Sequence, residues 1–410
     1  MEKMNVDLGK NSYDIIIGTD YINKFSEYIK SIYKGKKLFI ITDTNVNEFY
    51  KNRYNEMFQG YDYTVYILEA GEKNKHIGVM QGIYSALIKA EIKRNDMIVA
   101  FGGGVTGDIA GFAAASYLRG INFIQIPTTI ISQVDSSVGG KVGVDLPEGK
   151  NLVGAFYQPK VVLIDTLFLN TLSDRYFYDG FAEIVKYGCI YDKDLFDKIV
   201  DVVKNTNKNI NINIDNKNNE YNNNQSYRDN KEYKNNQSYE NSNKNNNVIK
   251  SEYGNKINDK NYKTELRKRL TENINYLIYR SCEIKKEIVE KDEKENGLRM
   301  ILNFGHTIGH AIEQYTCYEK YSHGEAIATG MADILKIGEK KGITRKGCYE
   351  KVKDLLLSLN LPVNIEYPKE KIREIMKRDK KSMDGGINFI FLRDIGNAEI
   401  IKMTEKEIFE

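Results

Sequence analysis

The run MIVAFGGGVTGDIAGFAAAS at 97–116 constrains the fold more than any other segment, because an unbroken apolar stretch meets three glycines and then a small-residue helical pattern. A strand that is apolar without alternation is buried on both faces, as in a parallel sheet covered by helices. Gly102, Gly103, Gly104 and Gly107 allow a bound group to approach the backbone. The helix opening near Asp108 adds unpaired N–H groups and a positive dipole end. The spacing G-G-G-x-x-G-D departs from the usual G-x-G-x-x-G, so the run reads as a nucleotide or phosphate loop or, alternatively, as tight helix–strand packing.

The surroundings extend the pattern. From Ser12 to Val162 the apolar runs YDIIIG, KLFIITD, YTVYIL, NFIQIP and KVVLID alternate with helix-like segments such as IGVMQGIYSALIKAEI, which predicts an α/β layout with a largely parallel sheet. After about Thr171 the chain reads as helices (FAEIVKYGCI, GHTIGHAIEQY, HGEAIATGMADILKIGEKKG), closed by one hairpin-like piece, GINFIFLRDIGNAEIIKM. We expect an α/β nucleotide-binding domain over 1–172 and a mostly α-helical domain over 173–410, a division that suits 410 residues. The segment at about 204–262 fits neither domain. Dominated by Asn, Lys, Tyr and Ser, and carrying the short repeat YNNNQSYRDNKE then YKNNQSYENSNK, it is expected to be a disordered, tolerated loop insert.

Composition excludes several classes. Sixty basic against 57 acidic residues give a net charge of +3, which argues against a nucleic-acid partner. Cys189, Cys282, Cys317 and Cys348 are scattered, so free thiols are expected rather than a disulfide framework. The N-terminus lacks a signal-peptide core and no stretch reaches the roughly 18 apolar residues of a membrane span, so a cytoplasmic protein without a membrane partner is expected.

Two further stretches carry chemistry. IPTTIISQVDSSVGGKVGVDLPEGKNLVGAFYQP concentrates small and polar groups suited to a phosphate cradle, with Lys141 and Lys150 as anion partners. Of only four histidines, His306, His310 and His323 fall within eighteen residues, and the first two share a helix face. By spacing alone these three form the metal-ligand set, with a carboxylate from elsewhere; Glu183 is one candidate among many, and the bland alternative is that the histidines are structural. His76 stands apart and is expected to be structural. The turn ENGLR precedes MILNF and the first histidine, which makes Arg299 and Asn303 candidates to face the site.

The motifs AFGGGVTGDIAGFAAASYLRG, VDSSVGGK, GKNLVGAFYQP, GFAEIVKYG, NGLRMILNFGHTIGH and HGEAIATGM, in this order, resemble the 3-dehydroquinate synthase family over nearly the whole chain outside the insert. The resemblance implies a homodimer that converts the sugar phosphate 3-deoxy-D-arabino-heptulosonate 7-phosphate to 3-dehydroquinate in the shikimate pathway to aromatic amino acids, using NAD and a divalent metal, zinc or cobalt. It implies Glu183, His306 and His323 as metal ligands, with His310 moved to the substrate side as an aid to proton transfer. It places Asp43, Asn45, Glu72, Lys75, Gly103, Gly104, Val105, Asp108, Thr128, Thr129, Phe168 and Thr171 at the NAD site, where the glycine-loop reading gains support. Substrate contacts would come from Asp135, Lys141, Asn151, Lys186, Lys285, Arg299, Asn303, His310 and Lys380. Arg119 resembles the arginine that reaches the neighbouring subunit's site. The rival readings are a related sugar phosphate cyclase acting on another sugar phosphate, an alcohol or glycerol dehydrogenase, and a non-catalytic NAD-binding protein.

Overall fold

The computed structural model describes residues 1–206, 260–379, 386–404 and 406–410. Lys380 and most of the expected insert, 207–259, lie outside the described residues. The strands are β1 (Glu2–Val6), β2 (Tyr13–Gly18), β3 (Lys37–Asp43), β4 (Asp62–Leu68), β5 (Met97–Gly102), β6 (Asn122–Pro127), β7 (Lys141–Leu146), β8 (Gly149–Phe156), β9 (Val161–Asp165), β10 (Ile387–Asp394) and β11 (Asn397–Met403).

The apolar runs become the sheet they predict. Seven strands lie in the order β1-β2-β9-β6-β5-β3-β4, all parallel except the antiparallel β1–β2 edge. Successive side chains point to opposite faces, and both faces are covered: Leu38, Ile40, Val99 and Phe101 join one buried cluster, while Phe39, Ile41, Ile98 and Ala100 join another. From β3 the chain runs outward to β4 and then returns to β5 on the other side of β3. That reversal opens a crevice at the carboxyl ends of β3 and β5, where open α/β sheets bind ligands.

Three details go beyond the sequence reading. β1 was not anticipated. The KVGVDL and GKNLVGAF segments, read as part of a phosphate cradle, pair as the antiparallel hairpin β7–β8, because their alternating Val and small residues fit a ladder. At the edges of the insert expected at about 204–262, residues 204–206 end one helix and Lys260–Glu272 form another. The C-terminal hairpin forms as β10–β11. Met1–Asp197 and Asn273–Glu410 make one compact unit, and Lys198–Glu272 a second; both halves of the expected 1–172 and 173–410 division contribute to the first. Among the described residues no helix is long and apolar enough to cross a membrane.

Helices His306–Tyr315 and His323–Lys340 approach each other through glycine. A Cβ on Gly330 would lie 2.1 Å from the Gly305 carbonyl oxygen, and one on Gly309 would lie 3.1 Å from that of Ala326. Gly305 itself has φ +78°, a left-handed conformation that favours glycine. This contact sets the distance between the histidines at the two helix starts. Gly330→Ala must push backbone against backbone, so we expect a loss of about 1–3 kcal/mol or more, read as a lower denaturant midpoint. An unchanged midpoint would contradict the close crossing.

Candidate active site

His306 and His323 are each the first residue of their helices, and Glu183 lies in the first turn of helix Phe181–Ile190. The Glu183 side chain is wholly buried, and its Oε1 lies 3.3 Å from Nε2 of both histidines. The ring orientations have identifiable causes. His306 Nδ1 is 3.1 Å from the Phe304 carbonyl, which can only accept, so Nδ1 carries the proton and Nε2 presents a lone pair. His323 Nδ1 faces Glu313 Oε2 at 3.4 Å in the same sense. Once Nε2 of both rings is deprotonated, two imidazole lone pairs and a carboxylate oxygen converge, an arrangement that a divalent cation satisfies. Their 3.3 Å separations match the edge of about 3.3 Å expected for tetrahedral ligands near 2.05 Å from zinc. The three can hold one metal ion.

The local electrostatics agree. Burial would raise the Glu183 carboxyl, but Lys186 and His306 outweigh it and hold it well below the usual carboxylate range. Lys186, 1% exposed, pairs with Glu183 Oε2, an oxygen that otherwise lacks a well-formed hydrogen bond. Burial and the Lys186 charge push His306 down. Without a cation His323 is pulled up to about 10, Glu313 and Glu183 overcoming its burial. Burial holds His310 well below its ordinary value.

Around this centre the structure gathers most of the substrate candidates. Asp135 accepts from Tyr187 Oη and Lys285 Nζ, each at 2.7 Å, and lies 3.8 Å from Lys186 Nζ. Burial, with Arg299 and Lys186 nearby, brings Lys285 down to about 8 despite Asp135. Arg299 is 1% exposed; it donates to the Gly139 carbonyl at 3.0 Å, but its Nε has no partner among the described residues. Lys141 and Asn303 share Glu295, paired with Oε2 and, at 3.0 Å, Oε1. Asn151 accepts from Lys75 Nζ at 2.6 Å. Arg119 is exposed at a turn, with φ 66°.

Among the cofactor candidates, Asp43 ends β3 and Gly103, Gly104, Val105 and Asp108 follow β5. Gly103 precedes helix Gly104–Ser116, whose start carries no side-chain cap, which leaves its first N–H groups available to a phosphate. Space is tight: a Cβ on Gly103 would meet Thr129 at 3.3 Å and one on Gly104 would meet Ser136 at 3.1 Å. Asp43 caps helix Thr44–Tyr50 through Asn45 N and Val46 N, and Thr106 Oγ1 donates to its other oxygen at 3.3 Å. The Asn45 side chain is exposed and Val105 is half-buried, while Thr128 N donates to the Gly102 carbonyl at 3.0 Å. Lys75 pairs with Asp108 at 2.5 Å, and Lys150 with Glu72 at 3.0 Å. The Phe168 ring is wholly buried against Phe25, Tyr50 and Phe101, so only its backbone can meet a ligand. Thr171 Oγ1 donates to the Phe168 carbonyl at 2.9 Å. His76 accepts from Gly78 N at 3.1 Å within its own turn.

Glu313 and Asp179 were missed. Glu313 carried a signal, lying three residues beyond His310 and seven beyond His306 on one helix face; Asp179 carried none.

This architecture, a nucleotide-type parallel sheet with a histidine- and carboxylate-bearing helical part, is the dehydroquinate synthase-like fold. It is shared with a crystal structure of 2-deoxy-scyllo-inosose synthase complexed with carbaglucose-6-phosphate, NAD+ and Co2+ (TM-score 0.72, 21% identity, covering 99% of this chain and 98% of that one). The family models for the 3-dehydroquinate synthase N-terminal and C-terminal regions match residues 65–179 and 244–382. A 3-dehydroquinate synthase of Clostridium acetobutylicum is 42% identical, covering 100% of this chain and 99% of its own length. One of Clostridium perfringens is 44% identical, with both chains fully covered. The chain belongs to the 3-dehydroquinate synthase family.

Asp179 fixes where His323 begins its helix. Buried, it accepts from Ser322 Oγ at 2.5 Å and from Glu325 N at 3.1 Å, while Glu325 accepts from Ser322 N at 2.8 Å. Asp179→Ala removes these two bonds and leaves the Ser322–Glu325 capping box. A destabilisation of about 1–2 kcal/mol is expected in denaturant unfolding; an unchanged midpoint would show that this helix start is held by its other contacts.

Proposed function

We infer that the chain is a 3-dehydroquinate synthase, converting 3-deoxy-D-arabino-heptulosonate 7-phosphate to 3-dehydroquinate and phosphate. The observation that carries this reading, beside family membership, is the convergence of Glu183 Oε1 with Nε2 of His306 and His323, 3.3 Å from each. In this reading these three residues hold one zinc or cobalt ion. Asp43, the Gly103–Gly104 loop, Thr128, Thr129 and the Lys75–Asp108 and Glu72–Lys150 pairs hold NAD. When bound, the two groups supply a Lewis acid and a transient hydride store, as oxidation, phosphate elimination, re-reduction and aldol closure without net redox require.

The chain's own groups do the rest. Lys285 and the unpartnered Arg299 Nε receive the substrate carboxylate, since a buried donor without an acceptor gains most from a charged ligand. Lys141, Asn151, His310 and Lys380, with Arg119 of a second subunit, grip the phosphate and stabilise its developing charge. Kept neutral by burial, His310 can accept a proton on the substrate side. Lys186 and Asp135 orient the hydroxyls nearest the metal ligands. A homodimer suits this assignment, because the exposed Arg119 is then available to its neighbour.

The test is phosphate release from the heptulosonate phosphate at sub-stoichiometric NAD. Many phosphates per NAD are expected with metal present and none after chelation; NADH accumulating one for one would indicate a dehydrogenase. Turnover of an uncarboxylated hexose phosphate in place of the heptulosonate would overturn the substrate choice.

A pH dependence follows from Lys285. Its ammonium form binds the carboxylate, and its value is about 8, so kcat/KM, which reports free-enzyme groups, should be flat below that pH. Above it, kcat/KM should fall about tenfold per unit. Lys285→Arg, which stays charged, should remove the break even though its overall rate is lower; a break that persists near 8 would assign it elsewhere.

A further inference from the structure

Glu313 has no part in the mechanism above, yet it is 3% exposed and joins the metal and cofactor halves of the site. Its Oε1 accepts from Lys150 Nζ at 3.0 Å, and its Oε2 faces His323 Nδ1 at 3.4 Å. Lys150 is held in turn by Glu72 Oε1 at 3.0 Å and lies over the Tyr318 ring, 4.6 Å from its centroid. We propose that Glu313 is a positioning residue that fixes the His323 ring with Nε2 toward Glu183 and, through its other oxygen, holds Lys150 at the cofactor site. The inference rests on the metal assignment made above.

Two arguments support positioning over direct ligation. Glu313, His310 and His323 also lie close enough to hold an ion. A cation there would face the Lys150 ammonium bound to the same carboxylate, and it would use the His323 nitrogen opposite the one aimed at Glu183. By contrast, a carboxylate accepting from the distal nitrogen is the ordinary outer partner of a ligating histidine, because it fixes the tautomer and raises ligand basicity. Both neighbours of Glu313 are donors in this arrangement, and only a carboxylate offers an acceptor to each. A glutamine amide would satisfy one neighbour and turn its NH2 toward the other.

The experiment uses the full-length metal-free protein titrated with Co2+, followed by its ligand-field absorption, and with NAD, followed by calorimetry. Glu313→Gln should weaken Co2+ binding roughly 10–100-fold, shift the cobalt spectrum and weaken NAD binding. Glu313→Asp, which keeps the charge but shortens the reach, should fall between that variant and the parent. Lys150→Met should weaken NAD while leaving Co2+ affinity near that of the parent, and circular dichroism establishes that each variant is folded. Unchanged Co2+ affinity and spectrum in Glu313→Gln, with Glu183→Ala and His323→Ala losing the ion, would overturn the proposal but keep the metal assignment. If Glu183→Ala and His323→Ala also bind Co2+ normally, the metal assignment itself falls. Abolition of binding by Glu313→Gln, with His306→Ala still binding, would make Glu313 a ligand and overturn positioning.

Discussion

A carboxylate removed entirely from water is the constraint on which the rest of this structure depends. Glu183 is fully buried, and an isolated charge there would be neutralised rather than tolerated. It stays ionised chiefly because Lys186 pairs with one of its oxygens, while the other faces the Nε2 atoms of His306 and His323. Those partners come from separate elements: Lys186 from the same helix, His306 and His323 from the starts of two others. The sheet contributes more remotely, since Asp135, in the segment after β6, ties Lys186, Lys285 and Tyr187 together. Removing one member would leave another buried and unpaired, which is typically far more costly than losing a surface ion pair.

This dependence explains why small residues recur where the helices meet. Gly305, Gly309 and Gly330 bring two helix backbones close enough that a methyl group would collide, and the closeness places His306 and His323 rings 5.4 Å apart between centroids. Glycine weakens a helix by roughly 1 kcal/mol relative to alanine. Here the cost is offset by packing that no larger residue permits, and it is incurred where the chemistry requires short distances. The β7–β8 hairpin brings Lys150 and Asn151 to the same region from the other side, where Asn151 adopts φ 54°. A non-glycine residue held in that left-handed conformation is uncommon and reflects surroundings that over-determine it.

The legible part of the fold was the part governed by local periodicity. KLFIITD and MIVAFG predict strands because apolar residues on both faces leave little alternative to a covered sheet, and GFAEIVKYGCI and HGEAIATGMADILK predict helices for a related reason. β1 and the β7–β8 hairpin were not read because their polar and glycine-rich composition resembles a loop, and it is long-range pairing that makes them strands. Phe168 illustrates another limit. A motif position can suggest contact with a cofactor, but it cannot say whether the ring or only the backbone faces it, and the aromatic cluster of Phe25, Tyr50 and Phe101 takes the ring.

The histidines show the same limit at finer scale. Spacing places His306 and His310 on one face, and their rings lie 5.2 Å apart. Ligation also depends on which nitrogen points where, and that is decided by partners far away in sequence. The Phe304 carbonyl turns His306 so that Nε2 faces Glu183, and Glu313 faces the distal nitrogen of His323. His310 belongs instead to the group around Glu313, one turn farther from Glu183 along the helix. A glutamate 123 residues before His306 in the sequence therefore lies opposite both Nε2 atoms, because burial and hydrogen bonding, rather than sequence spacing, decide which atoms converge.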